Sequence, residues 1–320
     1  MTISPMSLGD LFDRWFKLIG KTWLRNLILS VIILGPAALV LAICLDFGFS
    51  QLSGIADYGA SDFEEGNLPL LFEFLAWLFF GLILFSLGTV GATIAITSVS
   101  CAEMSDKPLS WQDALQSAFS LPFLKLLVQY LLQGLGFGLL VGIPYALIIA
   151  GIASESVGLG LFGGFLLMAL IPGVIYLAIN FAFIVPATVW ENESIIGGFR
   201  RSWDLVRGNW WRTFGILILM SLVVSFAISI IMTPLYIIVL WDFFQGYFEM
   251  FRSLGNGEPD SSIARDMIAS FGFAFGVINA IASIAQIIVT PLYVVVMYFD
   301  LRARKGEFPQ PAAATPAPIG

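Results

Sequence analysis

The chain has 320 residues, 58% of them hydrophobic and only 12% charged, with a mean hydropathy of +0.92 and a formal net charge of −7. A soluble domain is about one quarter charged, so this composition implies a polytopic helical membrane protein. Its continuous apolar runs exceed the ~20 residues of a spanning helix and exclude the ~10-residue alternating strands of an outer-membrane barrel. The absence of histidine removes imidazole acid–base chemistry and His–metal sites.

In chain order, Ser7 to Arg25 reads as a surface helix. Leu8, Leu11, Phe12, Trp15, Leu18 and Ile19 share one face, and Asp10, Asp13, Arg14, Lys17 and Lys21 the other. Ser7 is the expected N-cap, and Asp10–Arg14 and Asp13–Lys17 are i,i+4 pairs of favourable order. The first span is expected over 27–45, an uncleaved anchor because no small-residue cleavage site follows it. An acidic loop carrying Asp46, Asp57, Asp62, Glu64 and Glu65 leads to a second span over 72–100.

A weaker amphipathic helix follows, capped at Ser110, carrying Trp111, Ala114, Leu115, Ala118 and Phe119 on one face, and ended near Pro122. The third span covers 124–149. Gly134, Gly138 and Gly142 stand on one of its faces as a helix-packing strip. A loop over 151–160 precedes the fourth span, 164–190.

Residues 191–214, ENESIIGGFRRSWDLVRGNWWRTF, form the most distinctive stretch. At helical spacing Ile196, Phe199, Trp203, Val206 and Trp210 lie on one side and Arg200, Arg201, Asp204 and Arg207 on the other, the pattern of an interfacial helix. The fifth span is expected over 214–240, a second acidic loop over 241–266 and the sixth span over 267–299. A basic segment then precedes a disordered Pro/Ala-rich tail, 307–320.

Of the 15 lysines and arginines, all but Arg252 and Arg265 fall on one side of this topology. The positive-inside rule makes that side cytoplasmic, with both termini inside. Cys44 and Cys101 fall near opposite faces, beyond the ~7 Å reach of a disulfide.

A gap-free shift of 187 positions superposes Ser7, Phe12, Arg14, Leu18, Trp23 and Arg25 on Ser194, Phe199, Arg201, Leu205, Trp210 and Arg212. A shift of 103 pairs Ser7, Asp10, Phe16 and Leu18 with Ser110, Asp113, Phe119 and Leu121. The expected fold is therefore an all-α integral membrane protein of about six transmembrane helices. They form a single domain over 1–306 in three repeats, 7–100, 108–190 and 191–300, each opening with a cytoplasmic amphipathic interfacial helix.

The stretch VPATVWENESIIGGFRRSWDLVRGNWWRTFGIL, with SLGDLFDRWFKLIGKTW and MYFDLRARKGE, resembles the bacterial glycerophosphoryl diester phosphodiesterase membrane-domain family and its uncharacterised relatives. Pro186, Glu191, Arg201, Ser202, Trp203, Gly208, Trp211, Arg212, Asp300 and Arg302 carry the resemblance; Gly198-Phe199 departs from it, standing where the pattern commonly has Ala-Leu. The resemblance implies a bacterial inner-membrane protein. In that family the diesterase chemistry belongs to a separate soluble barrel that uses histidine. This chain has no histidine and no room for a barrel of ~250 residues, so no enzymatic activity, catalytic residue, cofactor or metal is expected.

The candidate lipid-headgroup or partner surface is Arg200, Arg201, Arg207, Trp210, Trp211 and Arg212, with Arg14 and Lys17. Arginine forks match phosphate and tryptophan favours the interface; the competing reading is that the same residues serve only as a topology anchor. Glu191 with Arg201, and Asp300 with Arg302 or Arg304, are expected as exposed ion pairs. The expected partners are membrane lipids, anionic ones included, and a membrane protein or second copy, but no nucleic acid. The functional expectation is a lipid-interacting scaffold or accessory component of the cell envelope. A transporter or channel for a small or lipid-like solute, with a cavity lined by Asn180 and Asn279, is the alternative.

Overall fold

The computed structural model describes residues 4–55, 68–255 and 261–308. Among these the chain is helical: α1 (Leu8–Ile55), α2 (Leu68–Met104), α3 (Trp111–Ala118), α4 (Leu121–Ala153), α5 (Val157–Asn180), α6 (Ile184–Trp190), α7 (Ile195–Val206), α8 (Trp210–Val239), α9 (Trp241–Gly255) and α10 (Ser261–Arg304). Six stretches are long and apolar enough to cross a membrane: α1, α2, α4, α5 with α6, α8 and α10. Their outward side chains are what a hydrocarbon solvent accepts, including Leu139, Phe165, Met168, Phe226 and Ile238, all more than half exposed.

Several boundaries differ from expectation. The first surface helix and first span are one continuous helix of 48 residues, about 72 Å long at 1.5 Å per residue. It runs through Asp46, where a loop was expected; Asp57, Asp62, Glu64 and Glu65 lie outside the described residues. The second expected acidic loop is mostly helix, α9. Its Phe243 ring meets Phe271 at 4.8 Å, and Trp241 and Phe248 are exposed. The expected loop 151–160 shrinks to 154–156, with Glu155 at φ 52°. The fourth span begins at Val157 and breaks between Asn180 and Ile184. Glu307 and Phe308 are ordered by contacts described below, and the rest of the expected tail lies outside the described residues.

The chain divides into two compact units. The first comprises Met1–Lys21, Thr97–Met220 and Pro291–Gly320; the second comprises Thr22–Ile96 and Ser221–Thr290. In the first, Val99, Cys101, Leu126, Phe183, Leu205, Val295, Tyr298 and Phe299 form a fully buried core. Close α4–α5 packing depends on glycine: a Cβ on Gly151 would lie 2.4 Å from the Gly160 nitrogen, and one on Gly163 2.8 Å from the Pro144 carbonyl.

In the second unit a Cβ on Gly276 would lie 2.4 Å from Ala42 Cα, and one on Gly272 2.6 Å from the Leu45 carbonyl. Residues 272–276 thus form a small-xxx-small contact. Gly81 and Gly88 of α2 meet Leu41, Cys44 and Ala37 of α1 in the same way. No atom of this kind lies within 4 Å of a Cβ built on Gly134, Gly138 or Gly142, so that strip packs no helix among the described residues. Cys44 and Cys101 are both free and buried.

Candidate functional site

The chemistry-bearing side chains converge in the first unit, around α7. That helix starts where Ser194 Oγ accepts the Gly197 N–H at 3.0 Å and ends at Arg207. Gly208, at φ 89°, makes the turn into α8, a conformation that glycine adopts without the steric cost of a Cβ. Gly198, Ser202, Leu205 and Val206 are its buried residues. Arg201 therefore stands beside the buried face rather than opposite it, while Ile196 is exposed.

Ser202 occupies the break between α5 and α6. Its hydroxyl donates to the Asn180 carbonyl at 2.6 Å and accepts the Phe183 N–H at 3.1 Å. One side chain thus satisfies a donor and an acceptor left open by the interrupted helix. Alongside it, Thr188 Oγ1 donates to Gln129 Oε1 at 3.0 Å, and Gln129 Nε2 donates to the Ile195 carbonyl at 2.8 Å. A Cβ on Gly198 would stand 2.5 Å from Gln129 Nε2 and 2.7 Å from Thr188 Oγ1. A side chain at position 198 would therefore have to displace the Gln129–Thr188 pair.

The first ion-pair network centres on Glu191. Arg201 grips it as a fork, Nε to Oε2 at 2.7 Å and Nη2 to Oε1 at 2.9 Å, the strongest arrangement for such a pair. Arg201 Nη2 also donates to Glu307 at 2.6 Å, Arg302 Nε donates to Glu307 at 2.8 Å, and the Tyr298 hydroxyl donates to Glu191. Arg302 lies over the Tyr298, Phe299 and Phe308 rings. The hydrogen bond to Glu307 raises the Arg201 pKa further, against the effect of burial. Partial burial raises the Glu307 carboxyl, but the bonds from Arg201 and Arg302 outweigh it and hold it below the ordinary glutamate value.

The second network centres on Asp300, which is fully buried. Arg212 Nη1 reaches Oδ2 at 2.5 Å, Arg304 Nε reaches the same oxygen at 3.0 Å, and the Met6 N–H donates to Oδ1 at 2.7 Å. The Met6 carbonyl accepts from Arg212 Nη2 at 2.9 Å and Arg304 Nη2 at 2.8 Å. The pairs Glu191–Arg201 and Asp300–Arg304 thus form as the sequence implied. They are buried or half-buried rather than exposed, and Arg302 turns to Glu307.

Of the expected surface cluster, Arg201 and Arg212 are committed to these networks. Arg200, Arg207 and Trp211 are exposed. Trp210 is stacked between Tyr176, at 5.6 Å, and Phe214, at 5.1 Å. Lys17 pairs with Asp13 at 2.7 Å, and Arg14 is half-exposed. Sequence reading missed Glu307, Tyr298 and the Met6 backbone; apart from Arg302, five residues from Glu307, their partners lie 106 to 298 residues away and leave no periodic signal.

Ser7, Ser110 and Ser194 share one geometry: each hydroxyl accepts the backbone N–H three residues on, at 3.3, 3.1 and 3.0 Å. Among the described residues no three His, Cys, Asp or Glu side chains are grouped as metal ligands. No curated protein and no solved structure shows significant similarity to the chain. A family model matches residues 112–299, more than half of the chain, and the protein belongs to the family described as a domain of unknown function, DUF7847.

Proposed function

We propose that the protein is a non-catalytic integral membrane protein, a lipid-interacting scaffold or accessory component of the cell envelope. It is seated in the bacterial cytoplasmic membrane with both ends of the chain inside. The observation that carries this reading is the division of labour among the basic residues of 191–212. Arg201 and Arg212 are locked onto carboxylates and fix the shape. Arg200, Arg207 and Trp211 are left exposed, and each basic group near an anionic leaflet contributes about 1 kcal/mol.

Kinship with the glycerophosphoryl diester phosphodiesterase membrane domains belongs to this proposal and rests on the motif residues, of which Glu191, Arg201 and Ser202 have the structural roles given above. The three-repeat organisation belongs to it too, supported by the three serine caps. Transport is disfavoured by the side chains that would serve it. Asn180 Nδ2 and Asn279 Nδ2 each donate to a carbonyl one turn back on their own helix, at 2.7 and 2.8 Å.

Purification in mild detergent followed by lipid and protein mass spectrometry tests this reading. Anionic phospholipid is expected to be enriched, and depleted when Arg200 and Arg207 are both changed to Gln; an unchanged lipid profile overturns the lipid role. A Lys21→Cys variant that reacts with a membrane-impermeant reagent in intact cells overturns the orientation.

A further inference from the structure

The two ion-pair networks differ in charge balance. Around Glu191 two arginines, Arg201 and Arg302, meet two carboxylates, Glu191 and Glu307. Around Asp300 two arginines, Arg212 and Arg304, share one carboxylate. Their side chains keep 26% and 27% exposure, and neither Arg212 Nε nor Arg304 Nη1 is spent on Asp300 or Met6. The neighbouring Asp10 is occupied by the Ser7 hydroxyl at 2.7 Å, and Arg14 stands one turn further along α1.

Arg212 and Arg304 line an open groove of about 430 Å³, within the ~300–1,000 Å³ of small-ligand sites. From Arg212 the groove continues past Gly215 and Ile216 to Leu219. These positions, at i, i+3, i+4 and i+7, share one face of α8. The polar-to-apolar axis therefore covers about 10 Å of a helix rising 1.5 Å per residue. Leu8 and Trp211 complete the walls, and Trp211 is 77% exposed at the charged end, the placement tryptophan takes at a headgroup boundary.

We propose that this groove binds one anionic phospholipid, its phosphate on the Arg212–Arg304 pair and an acyl chain along Gly215, Ile216 and Leu219. The inference deepens the lipid-interacting reading and rests on it, but concerns a single seated lipid rather than the exposed Arg200/Arg207 face. The one positive charge left over after Asp300 is paired selects an anionic headgroup, and the apolar arm selects a lipid over free phosphate.

Native mass spectrometry of the full chain in neutral detergent, titrated with phosphatidylglycerol or phosphatidylcholine, tests it. The wild type is expected to retain one phosphatidylglycerol with at least tenfold preference, and glycerol phosphate at equal concentration is expected not to displace it. Gly215→Trp fills the apolar arm at a position where an added Cβ meets nothing within 4 Å. It is expected to lower lipid occupancy at least tenfold while leaving the melting temperature unchanged. Arg304→Gln is expected to abolish the preference over phosphatidylcholine.

A Gly215→Trp protein that keeps its phosphatidylglycerol overturns the proposal, as does full displacement by glycerol phosphate, which marks a free-phosphate site. Should Arg304→Gln fail to fold, the Gly215→Trp measurement decides alone. The Arg200/Arg207 variant separates the two readings: it changes the total co-purifying lipid without changing the one-lipid stoichiometry of the groove.

Discussion

Residues 7–25 and 194–212 are matched by the shift of 187 and share three buried pairs: Leu11 and Gly198, Trp15 and Ser202, Leu18 and Leu205. Yet they do different work. Trp15 fills space and meets the Tyr293 ring at 6.4 Å, whereas Ser202 spends its hydroxyl on the α5–α6 break. The former segment runs unbroken into its span, and the latter turns at Gly208 before α8 begins. The residue matched to Gly208 is Lys21, which has no comparable access to the left-handed region. A partly shared buried register thus coexists with opposite continuity, and the break falls where Gly208 takes the left-handed region.

The comparison can be broken first at its buried pair. Trp15→Ala is expected to cost about 3–5 kcal/mol, as for other buried aromatics truncated to alanine. Trp15→Phe should cost much less, because the indole N–H has no partner among the described residues. Tryptophan-independent thermal unfolding, followed by circular dichroism in detergent, measures both. Next, Ser202→Ala should cost about 1–3 kcal/mol by leaving the Asn180 carbonyl and Phe183 N–H unsatisfied. If Ser202→Ala proves neutral, the cap assignment is wrong.

The continuity difference is sharpened by an exchange of residues. Gly208→Ala should destabilise by about 1–2 kcal/mol through the left-handed backbone. Lys21→Gly should cost about 1 kcal/mol of helix propensity and accelerate amide exchange around residues 20–25. The smallest effect is pH-dependent. Glu307 has a lowered pKa, so its contribution is complete above the unfolded value of 4.5 and fades as pH falls through the lower folded value. The melting temperature should therefore drop on acidification below about pH 4.5, and Glu307→Gln should flatten that slope.

The six apolar helices were legible because runs of ~20 apolar residues are decided by composition alone. Helix at 46–55 and 241–255 was not, because scattered acidic residues were weighed as loop. In α9 the spacing of Phe243, Phe244, Tyr247, Phe248 and Phe251 was the better signal. The glycine spacing is less legible for a different reason. Gly134, Gly138 and Gly142 and the pair Gly272–Gly276 carry the same spacing, and only the latter has a helix against it. Spacing states what a face permits, not which neighbour arrives. The pairs Glu191–Arg201 and Asp300–Arg304 were legible as opposite charges close in sequence; the convergence of Arg212, Met6 and Glu307 on them depends on the tertiary fold.

The Met6 clamp has a consequence for biosynthesis. Its N–H is held by a carboxylate 294 residues downstream, and its carbonyl by an arginine 298 residues downstream. At 5–20 residues per second a ribosome takes about 15–60 s to supply those partners. Until then the Met6 N–H has no carboxylate to close upon, and Arg212, already made and able to reach the Met6 carbonyl, waits without its own carboxylate. The stretch of these contacts synthesised first is the one secured last, so the Asp300–Arg304 turn acts as the latch that completes the first unit.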